Sequence, residues 1–327
     1  MTYRSPLLDL PGAVEADAPD AGVAAHYGDP MREQRLLDAG GAAVDLSHRG
    51  IVRIAGPDRL GWLHSLTTQH LEALPAGQAT TALLLSPHGH VEHALYAVDD
   101  GDALWAHVEP GTTQALVEFL NSMRFLMRVE VEDVTDRYAV VWTAAGAGRP
   151  DARPHLSRIG ERGVDVFVPR DDLTAYVGAG PAGIWAYEAL RIAAHEPRLG
   201  LDTDHRTIPH EAGWIGSAVH LDKGCYRGQE TVARVHNLGR PPRRLVMLHL
   251  DGSVDHLPAA GDPVELDGRQ VGFVGSAARH YESGPIALAL VKRNVPVDAD
   301  LLAGEVAAAQ EVVVDPDIGL HVRPQLR

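Results

Sequence analysis

The sequence predicts an α+β protein with a small β-barrel at its C-terminal end. Between residues 81 and 143, strand patterns precede and follow one run of helical spacing, which is typical of an α+β lobe and unlike a doubly wound sheet. Beyond residues 238–242 (LGRPP), short alternating strands are separated by glycine and aspartate turns, a pattern that favours a small barrel. The length of 327 residues is sufficient for two domains.

The first third of the chain predicts a lead-in, two helices and a short strand. Residues 1–30 are rich in Ala, Asp, Pro and Gly and predict an irregular lead-in with some extended pieces. Helical spacing over 31–39 is stopped by two glycines, and residues 51–54 alternate as a strand. Pro57 and Asp58 then open a helix, because proline is favoured in a first helical turn.

The middle of the chain predicts a hairpin. Residues 81–86 and 91–98 are strand-like, and the turn 87–90 (PHGH) joins them. The periodicity that follows predicts a core-facing helix and two strands, over 112–127, 129–134 and 137–143. A later helix is predicted over 182–194.

We predict three segments from these elements. Residues 1–30 are the lead-in, and 31–240 form an α+β region of two lobes with a break near the glycine-rich stretch 144–150. Residues 241–327 form the barrel.

Composition argues against several functional classes. The formal net charge of −15 gives no general attraction to a phosphate backbone, so we expect no direct nucleic-acid partner. No apolar run approaches membrane-spanning length, and no secretory signal pattern is present, so we expect no membrane association and a cytoplasmic location. A single cysteine excludes an internal disulfide framework.

Residues 223–230 (KGCYRGQE) hold that cysteine, Cys225. Lys223, one of only two lysines in the chain, and Arg227 place positive charge on either side of the sulfur. Nearby cations lower the pKa of a thiol and raise its reactivity, so the spacing predicts a functional thiol. The alternative is a buried, inert cysteine, since free cysteine is among the most buried residue types.

Histidines crowd the predicted hairpin at His88, His90 and His93. Neutral imidazoles can bind zinc, but no carboxylate or cysteine at ligand spacing completes a metal motif. We therefore predict solvated turn histidines and no metal site.

The motif at Cys225 resembles the signature K-G-C-[FY]-x-G-Q-E of the YgfZ family of folate-binding proteins. Residues 44–50 (VDLSHRG) and 54–59 (IAGPDR) are similar to the N-terminal part of the glycine-cleavage T-protein, an aminomethyltransferase of the same superfamily. This resemblance covers roughly residues 25–315. It implies a T-protein-like fold of α/β lobes around a central cavity, with a small C-terminal barrel.

The resemblance also implies a set of folate-binding residues. Residues 160–169 are similar to the superfamily pattern T-G-E-x-G-[FY]-E, and Asp165 stands where the family has the glutamate that pairs with the pterin ring. Arg191 matches the arginine of the E-x-x-R-[IL] segment near the folate. A helix-stabilising ion pair between Glu188 and Arg191, three residues apart, is the alternative. The remaining implied positions are Tyr226, Gln229, Glu230 and His93.

The T-protein has a catalytic aspartate on the strand after the hairpin turn. Counting from Gly89, His93 falls at or next to that position, and Glu92 would reach it only with a shift that turns it to the other face of the strand. Transfer of an aminomethyl group to folate needs a carboxylate there. This departure argues against the T-protein reaction.

The function implied by the resemblance is binding of tetrahydrofolate or a one-carbon derivative. It includes support of iron–sulfur cluster assembly or repair in client enzymes, among them tRNA-modifying ones. Partners would be these clients or assembly proteins, and any cluster at Cys225 would be transient and shared, since clusters normally take four ligands. This describes an accessory factor more than an enzyme.

Two enzymatic alternatives stay open at this point. One is a folate-dependent one-carbon transferase, either an aminomethyltransferase or a demethylase. The other is a thiol enzyme in which His220 or His236 acts as the base for Cys225.

Overall fold

A computed structural model describes residues 3–145, 155–178 and 180–320 of the chain. The predicted break near 144–150 lies mostly outside these residues, and so do the last seven residues of the predicted barrel segment. No helix in the described part of the chain is long and apolar enough to cross a bilayer.

The helices begin and end at local signals in the sequence. Helix α1 starts with a proline, and the side chain of Asp29 accepts a hydrogen bond from the Arg32 N–H at 3.0 Å, which caps its first turn. Gly40, with φ of 75°, follows its end. The α-helices among the described residues are α1 Pro30–Asp38, α2 Arg59–Leu66, α3 Thr113–Ser122, α4 Leu173–Val177, α5 Ile184–Ala193 and α6 Gln229–Leu238.

The strands before the barrel form a two-stranded ribbon and two five-stranded sheets. They are β1 Val14–Glu15, β2 Ala24–His26, β3 Ala43–Asp45, β4 Gly50–Ala55, β5 Ala79–Leu85, β6 Val91–Asp99, β7 Ala103–Val108, β8 Glu130–Asp133, β9 Tyr138–Ala144, β10 Leu156–Ile159, β11 Gly163–Pro169 and β12 Pro181–Ala182. One sheet has the order β10-β11-β9-β3-β12, and the other has β5-β6-β7-β4-β8. Most pairings are antiparallel, and β3 with β12 is parallel.

The remaining strands close into a barrel. They are β13 Arg243–Leu250, β14 Pro263–Leu266, β15 Arg269–His280, β16 Gly284–Lys292, β17 Leu301–Ala303 and β18 Val306–Val312, in the order β13-β16-β15-β14-β17-β18. Alternate residues of β13, among them Val246 and Leu248, fill the interior. Leu245 and Met247 point outward and pack against Ala189 and Ile192 of α5. The predicted α+β protein with a C-terminal barrel is confirmed.

Compact packing divides the chain into two units. The first contains the chain up to Ala82 together with His93–Tyr187, and its core includes Leu7, Val141 and Val166. The second contains the hairpin tip Leu83–Glu92 and the chain from Glu188 onward. Residues 188–240 therefore pack with the barrel, although the sequence places its boundary at 240.

Two predicted segments differ from the observed elements. The lead-in over 1–30 contains a 3₁₀ turn, Pro6–Asp9, and the strands β1 and β2, because the buried Leu7 anchors it in the core. Helix α3 ends at Ser122, five residues before the predicted end. Phe125 has φ of 45°, which a right-handed helix does not accommodate.

Two glycines allow the hairpin turn to approach the start of α6. A Cβ on Gly228 would lie 2.6 Å from the Ser86 carbonyl oxygen, and one on Gly89 would lie 2.7 Å from the Thr231 Cβ. Both glycines have φ of 81°, which L side chains rarely adopt. The motif around Cys225 is thus fixed to the hairpin by backbone contact that only glycine permits.

We expect Gly228→Ala to destabilise the protein by about 1–3 kcal/mol, since it combines a positive φ with a steric clash. Gly224→Ala is the matched control from the same motif, because a Cβ there meets no atom within 4 Å. Urea unfolding of the two variants measures the difference. Equal stability would contradict the role of Gly228 in this contact.

Candidate functional site

The segment that holds Cys225 runs into helix α6 in the second unit. Gly228 is its N-cap in the left-handed conformation, and Gln229 begins the helix and donates to the Lys223 carbonyl oxygen at 3.5 Å. Glu230 is exposed in the first turn, where a negative charge interacts favourably with the helix dipole. Gln229 and Glu230, which the resemblance predicts to bind folate, therefore lie in the first turn of α6.

The two cations near the thiol have different surroundings. Lys223 is buried, and its Nζ lies 4.8 Å from the ring centroid of Tyr226, itself a buried residue. Burial lowers the pKa of Lys223 to about 8 and raises the pKa of Tyr226 to about 12. Arg227 forms an ion pair with Glu92 at 2.8 Å, which offsets part of its charge.

Cys225 itself is exposed, so the alternative of a buried cysteine is ruled out. Its sulfur makes no hydrogen bond to any described residue, and His220 and His236 are both within the described chain. The structure therefore gives no support to a thiol enzyme with either histidine as base, because that mechanism needs an imidazole within hydrogen-bond reach.

Strand register in the first unit places a charged pair and an aromatic ring in one row. Asp165 on β11 lies opposite Arg158 on β10 and opposite Trp142 on β9. Directly paired residues of antiparallel strands share a face, so the three side chains are neighbours. Asp165 is 5% exposed, and its Oδ2 accepts a hydrogen bond from Arg158 Nη1 at 2.8 Å.

A buried histidine adds to this pair. His107 Nε2 lies 3.3 Å from Asp165 Oδ2, and the His107 ring stacks on Tyr96 with centroids 5.0 Å apart. Burial would raise the pKa of Asp165, but the contacts with His107 and Arg158 outweigh it and hold that pKa well below its usual range. Burial lowers the pKa of His107, so its ring is neutral at pH 7.

These groups leave two hydrogen-bond acceptors for a ligand, because the neutral His107 ring carries its proton on Nε2, which faces the ionised carboxylate. Asp165 Oδ1 accepts no hydrogen bond from any described residue, whereas Oδ2 accepts one from Arg158 and lies 3.3 Å from His107 Nε2. His107 Nδ1 is buried without a hydrogen-bond partner in the described part of the chain. A carboxylate oxygen and a neutral imidazole can pair with the amino and ring N–H groups of a pterin, so the residues fit the predicted cofactor. The predicted central cavity stays a prediction.

A nearby arginine–aromatic cluster, which was not predicted from the sequence, consists of Arg49, Trp142, Arg162 and Tyr187. The guanidinium carbons of Arg49 and Arg162 lie 5.6 and 5.7 Å from the centroid of the Tyr187 ring. That ring meets Trp142 edge-on at 5.4 Å. Arg49 also lies 3.5 Å from Glu109. Arg49 lies in the motif at 44–50 and Arg162 in the motif at 160–169, so these two motifs were the sequence signal for the cluster.

Arg191 in the second unit is a buried ion-pair centre. It donates to both carboxylate oxygens of Glu188, to Asp202 Oδ2 at 2.9 Å and to the Glu196 carbonyl oxygen at 2.8 Å. Its pKa is raised, since these carboxylates outweigh the penalty of burial. This geometry favours the alternative of a helix-stabilising pair, and the folate role of Arg191 stays a prediction.

Both carboxylates on strand β6 contact arginines. His93 is half-buried and is the third residue of this strand, and its match to the T-protein's catalytic position stays a prediction. Glu92 is paired with Arg227, and Asp99 accepts two hydrogen bonds of 2.7 Å from Arg59. Both acidic residues of β6 therefore form ion pairs with arginines.

Two domain families match the chain. The GCVT N-terminal domain matches residues 27–167, and the CAF17 C-terminal β-barrel domain matches residues 243–316. A chloroplastic protein of Arabidopsis thaliana, named provisionally as a transferase, is 29% identical over 294 residues, covering 79% of this chain and 67% of that protein. An aminomethyltransferase of Symbiobacterium thermophilum is 27% identical over 315 residues, covering 81% of this chain and 82% of that protein.

A solved structure shares the fold. The glycine cleavage system aminomethyltransferase T from Bartonella henselae superposes with a TM-score of 0.78 at 18% identity, covering 95% of this chain and 96% of that one. The fold is thus the T-protein-like aminomethyltransferase fold with a closed six-stranded C-terminal barrel, as the sequence predicted.

We expect the Lys223 amine to titrate near pH 8, because its ammonium is buried. Reductive methylation with ¹³C-formaldehyde labels only Lys223, Lys292 and the N-terminal amine, and NMR then follows each signal with pH. Lys223→Arg assigns the signal, and Lys292→Arg is the matched control. A Lys223 midpoint near the ordinary lysine value of about 10.4 would contradict the burial described here.

Proposed function

Since the chain belongs to the YgfZ/CAF17 family, with a GCVT-like folate-binding domain and a CAF17 C-terminal barrel, we propose that it binds tetrahydrofolate or a one-carbon derivative. We propose further that it supports iron–sulfur cluster assembly or repair in client enzymes, including tRNA-modifying ones. The observation that carries the second step is the exposed thiol of Cys225 within a complete KGCYRGQE motif.

The first unit supplies the groups proposed to hold the pterin. Asp165 Oδ1 is an acceptor with no described partner, and the carboxylate stays ionised because of Arg158 and His107. A charged acceptor in a buried setting forms a strong hydrogen bond. When bound as a one-carbon derivative, a reduced folate would supply a one-carbon unit.

Arg49 and Arg162 are proposed to interact with the acidic or aromatic parts of the same ligand. Guanidinium groups bind carboxylates and stack on rings, and both of these already lie against Tyr187.

The thiol is proposed to act together with a partner protein. One cysteine supplies one of the four ligands that a cluster normally takes, so the client or assembly protein must supply the others. An exposed sulfur meets this requirement, because the second protein has to reach it. The cytoplasmic location and the absence of nucleic-acid and membrane partners belong to the same proposal.

Aminomethyl transfer is the second candidate, because several curated relatives carry the name aminomethyltransferase. The side chains of β6 argue against it. The reaction needs a carboxylate near the folate nitrogen, and both carboxylates of this strand are paired with arginines. A folate-binding protein without this transfer activity fits the residues better.

We expect Asp165→Ala to weaken tetrahydrofolate binding about tenfold or more, the loss of one charged hydrogen bond. Anaerobic calorimetry measures the affinity. Asp165→Asn, which keeps the size of the side chain, should weaken binding in the same direction. Asp136→Ala is the control, since that side chain is 82% exposed.

Melting curves recorded in parallel separate loss of the ligand contact from loss of the Arg158 ion pair. A folded Asp165→Ala variant with wild-type affinity would overturn the pterin assignment.

We expect Cys225→Ser to abolish complementation of iron–sulfur enzyme activity in a strain that lacks the protein, with tetrahydrofolate affinity unchanged. The substitution removes only the sulfur, which is exposed. Ser217→Ala, outside the motif, is the matched control. Full complementation by Cys225→Ser would overturn the role of the thiol, and turnover of an aminomethyl-lipoyl carrier by the wild type would favour the transferase instead.

A further inference from the structure

A group of potential metal ligands lies on the first unit, apart from the residues assigned to folate. His64, His70 and Glu72 each offer one ligand atom, and these atoms lie within 4.8 Å of one another. It is the one such group of three among the described residues. We propose that this group binds a transition-metal ion of the zinc type.

The donor set determines the class of metal. Two imidazoles and one carboxylate form a ligand set that zinc uses in proteins, with a fourth position left for water or another molecule. Imidazole nitrogens favour Zn²⁺, Co²⁺, Ni²⁺ and Cu²⁺, whereas Mg²⁺ and Ca²⁺ prefer oxygen-only sites. We therefore expect discrimination against the two hard cations.

The backbone holds these side chains on a fixed frame. His64 is in the last turn of α2, and the Thr67 hydroxyl donates to the Leu63 carbonyl oxygen at 2.8 Å to close that helix. Leu71 is buried, so His70 and Glu72 are presented on either side of an anchored residue. Ligands on an ordered backbone lose less conformational entropy when the metal binds.

The two imidazoles are already adjacent. The rings of His64 and His70 meet edge-on with centroids 4.8 Å apart. In a tetrahedral site with bonds near 2.1 Å, ligand atoms are roughly 3.4 Å apart, so atoms now up to 4.8 Å apart must approach by up to about 1.4 Å. His70 and Glu72 are exposed, and rotation of their side chains allows this movement.

An existing hydrogen bond to His64 opposes binding. The Leu71 N–H donates to His64 Nδ1 at 3.3 Å, a long hydrogen bond. Metal at Nδ1 displaces this N–H, and metal at Nε2 requires the ring proton to move to Nδ1. Either route gives up this bond, so we expect micromolar affinity.

The test is calorimetric titration of tag-free, chelator-treated protein with Zn²⁺, and with Mg²⁺ as the hard-cation comparison. We expect one zinc ion per chain and no magnesium binding. His70→Ala and Glu72→Gln should each weaken zinc binding on the order of tenfold or more. Both residues are exposed, so the variants should fold, which circular dichroism checks.

Two control variants distinguish this group from other zinc ligands. His88→Ala removes a histidine of the hairpin, and Cys225→Ser removes the only thiol; both should bind zinc like the wild type. Absent zinc binding in the wild type would overturn the proposal. So would wild-type affinity in His70→Ala, or loss of binding in either control.

Cobalt substitution gives an independent readout. Tetrahedral Co²⁺ absorbs visible light more strongly than octahedral Co²⁺, so the wild type should show this absorption and His70→Ala should not. A spectrum that is the same in both proteins would place the ion elsewhere. Tetrahydrofolate affinity should be equal in all variants, because none of these residues belongs to the folate groups.

Discussion

The carboxylate of Asp202 is the constraint on which the second unit depends. It is fully buried and accepts from the Arg191 guanidinium, the Arg198 backbone N–H, and the backbone N–H and hydroxyl of Ser276. These donors belong to α5, to the segment after it and to barrel strand β15. A buried charge is tolerated only when such partners surround it, so the Asp202 carboxylate is fully paired only when all three pieces of chain come together.

The same reasoning explains why Gly275 precedes Ser276. A Cβ at Gly275 would overlap the Asp202 side chain, so glycine lets the strand approach the carboxylate closely. The observed role of Arg191 is therefore structural, since it forms ion pairs with Asp202 and Glu188.

In the first unit, strand register determines which side chains lie next to Asp165. The pairing of β10, β11 and β9 places Arg158, Asp165 and Trp142 side by side, and His107 reaches the carboxylate from the other sheet. Asp165 is one methylene shorter than the glutamate of the pattern that residues 160–169 resemble. Its Oδ2 accepts a hydrogen bond from Arg158, and its Oδ1 accepts none from any described residue.

The sequence was sufficient for features that depend on local patterns. The barrel, the hairpin at 87–90 and the helices α1, α2 and α5 follow from periodicity and from glycine and proline positions. The end of α3 was missed because the positive φ of Phe125 has no sequence signal of its own. The motif located Asp165, but its contacts with Arg158 and His107 depend on strand pairing.

Long-range contacts were beyond sequence reasoning. Glu188 and Arg191 could be paired by helical spacing, whereas Ser276 lies 74 positions from Asp202. The group of His64, His70 and Glu72 was missed for a similar reason. His64 and His70 have H-x₅-H spacing, but no cysteine pair accompanies them, and the three side chains converge only through the turn after α2.

The solitary exposed sulfur has a consequence for oxidation chemistry. Because no second cysteine exists in the chain, Cys225 cannot be protected by an internal disulfide. Its oxidised forms are a sulfenic acid, a mixed disulfide with a small thiol, or a covalent link to another polypeptide. Each of these has its own mass, so intact-protein mass spectrometry of material taken from cells would identify the last molecule that reacted with this atom.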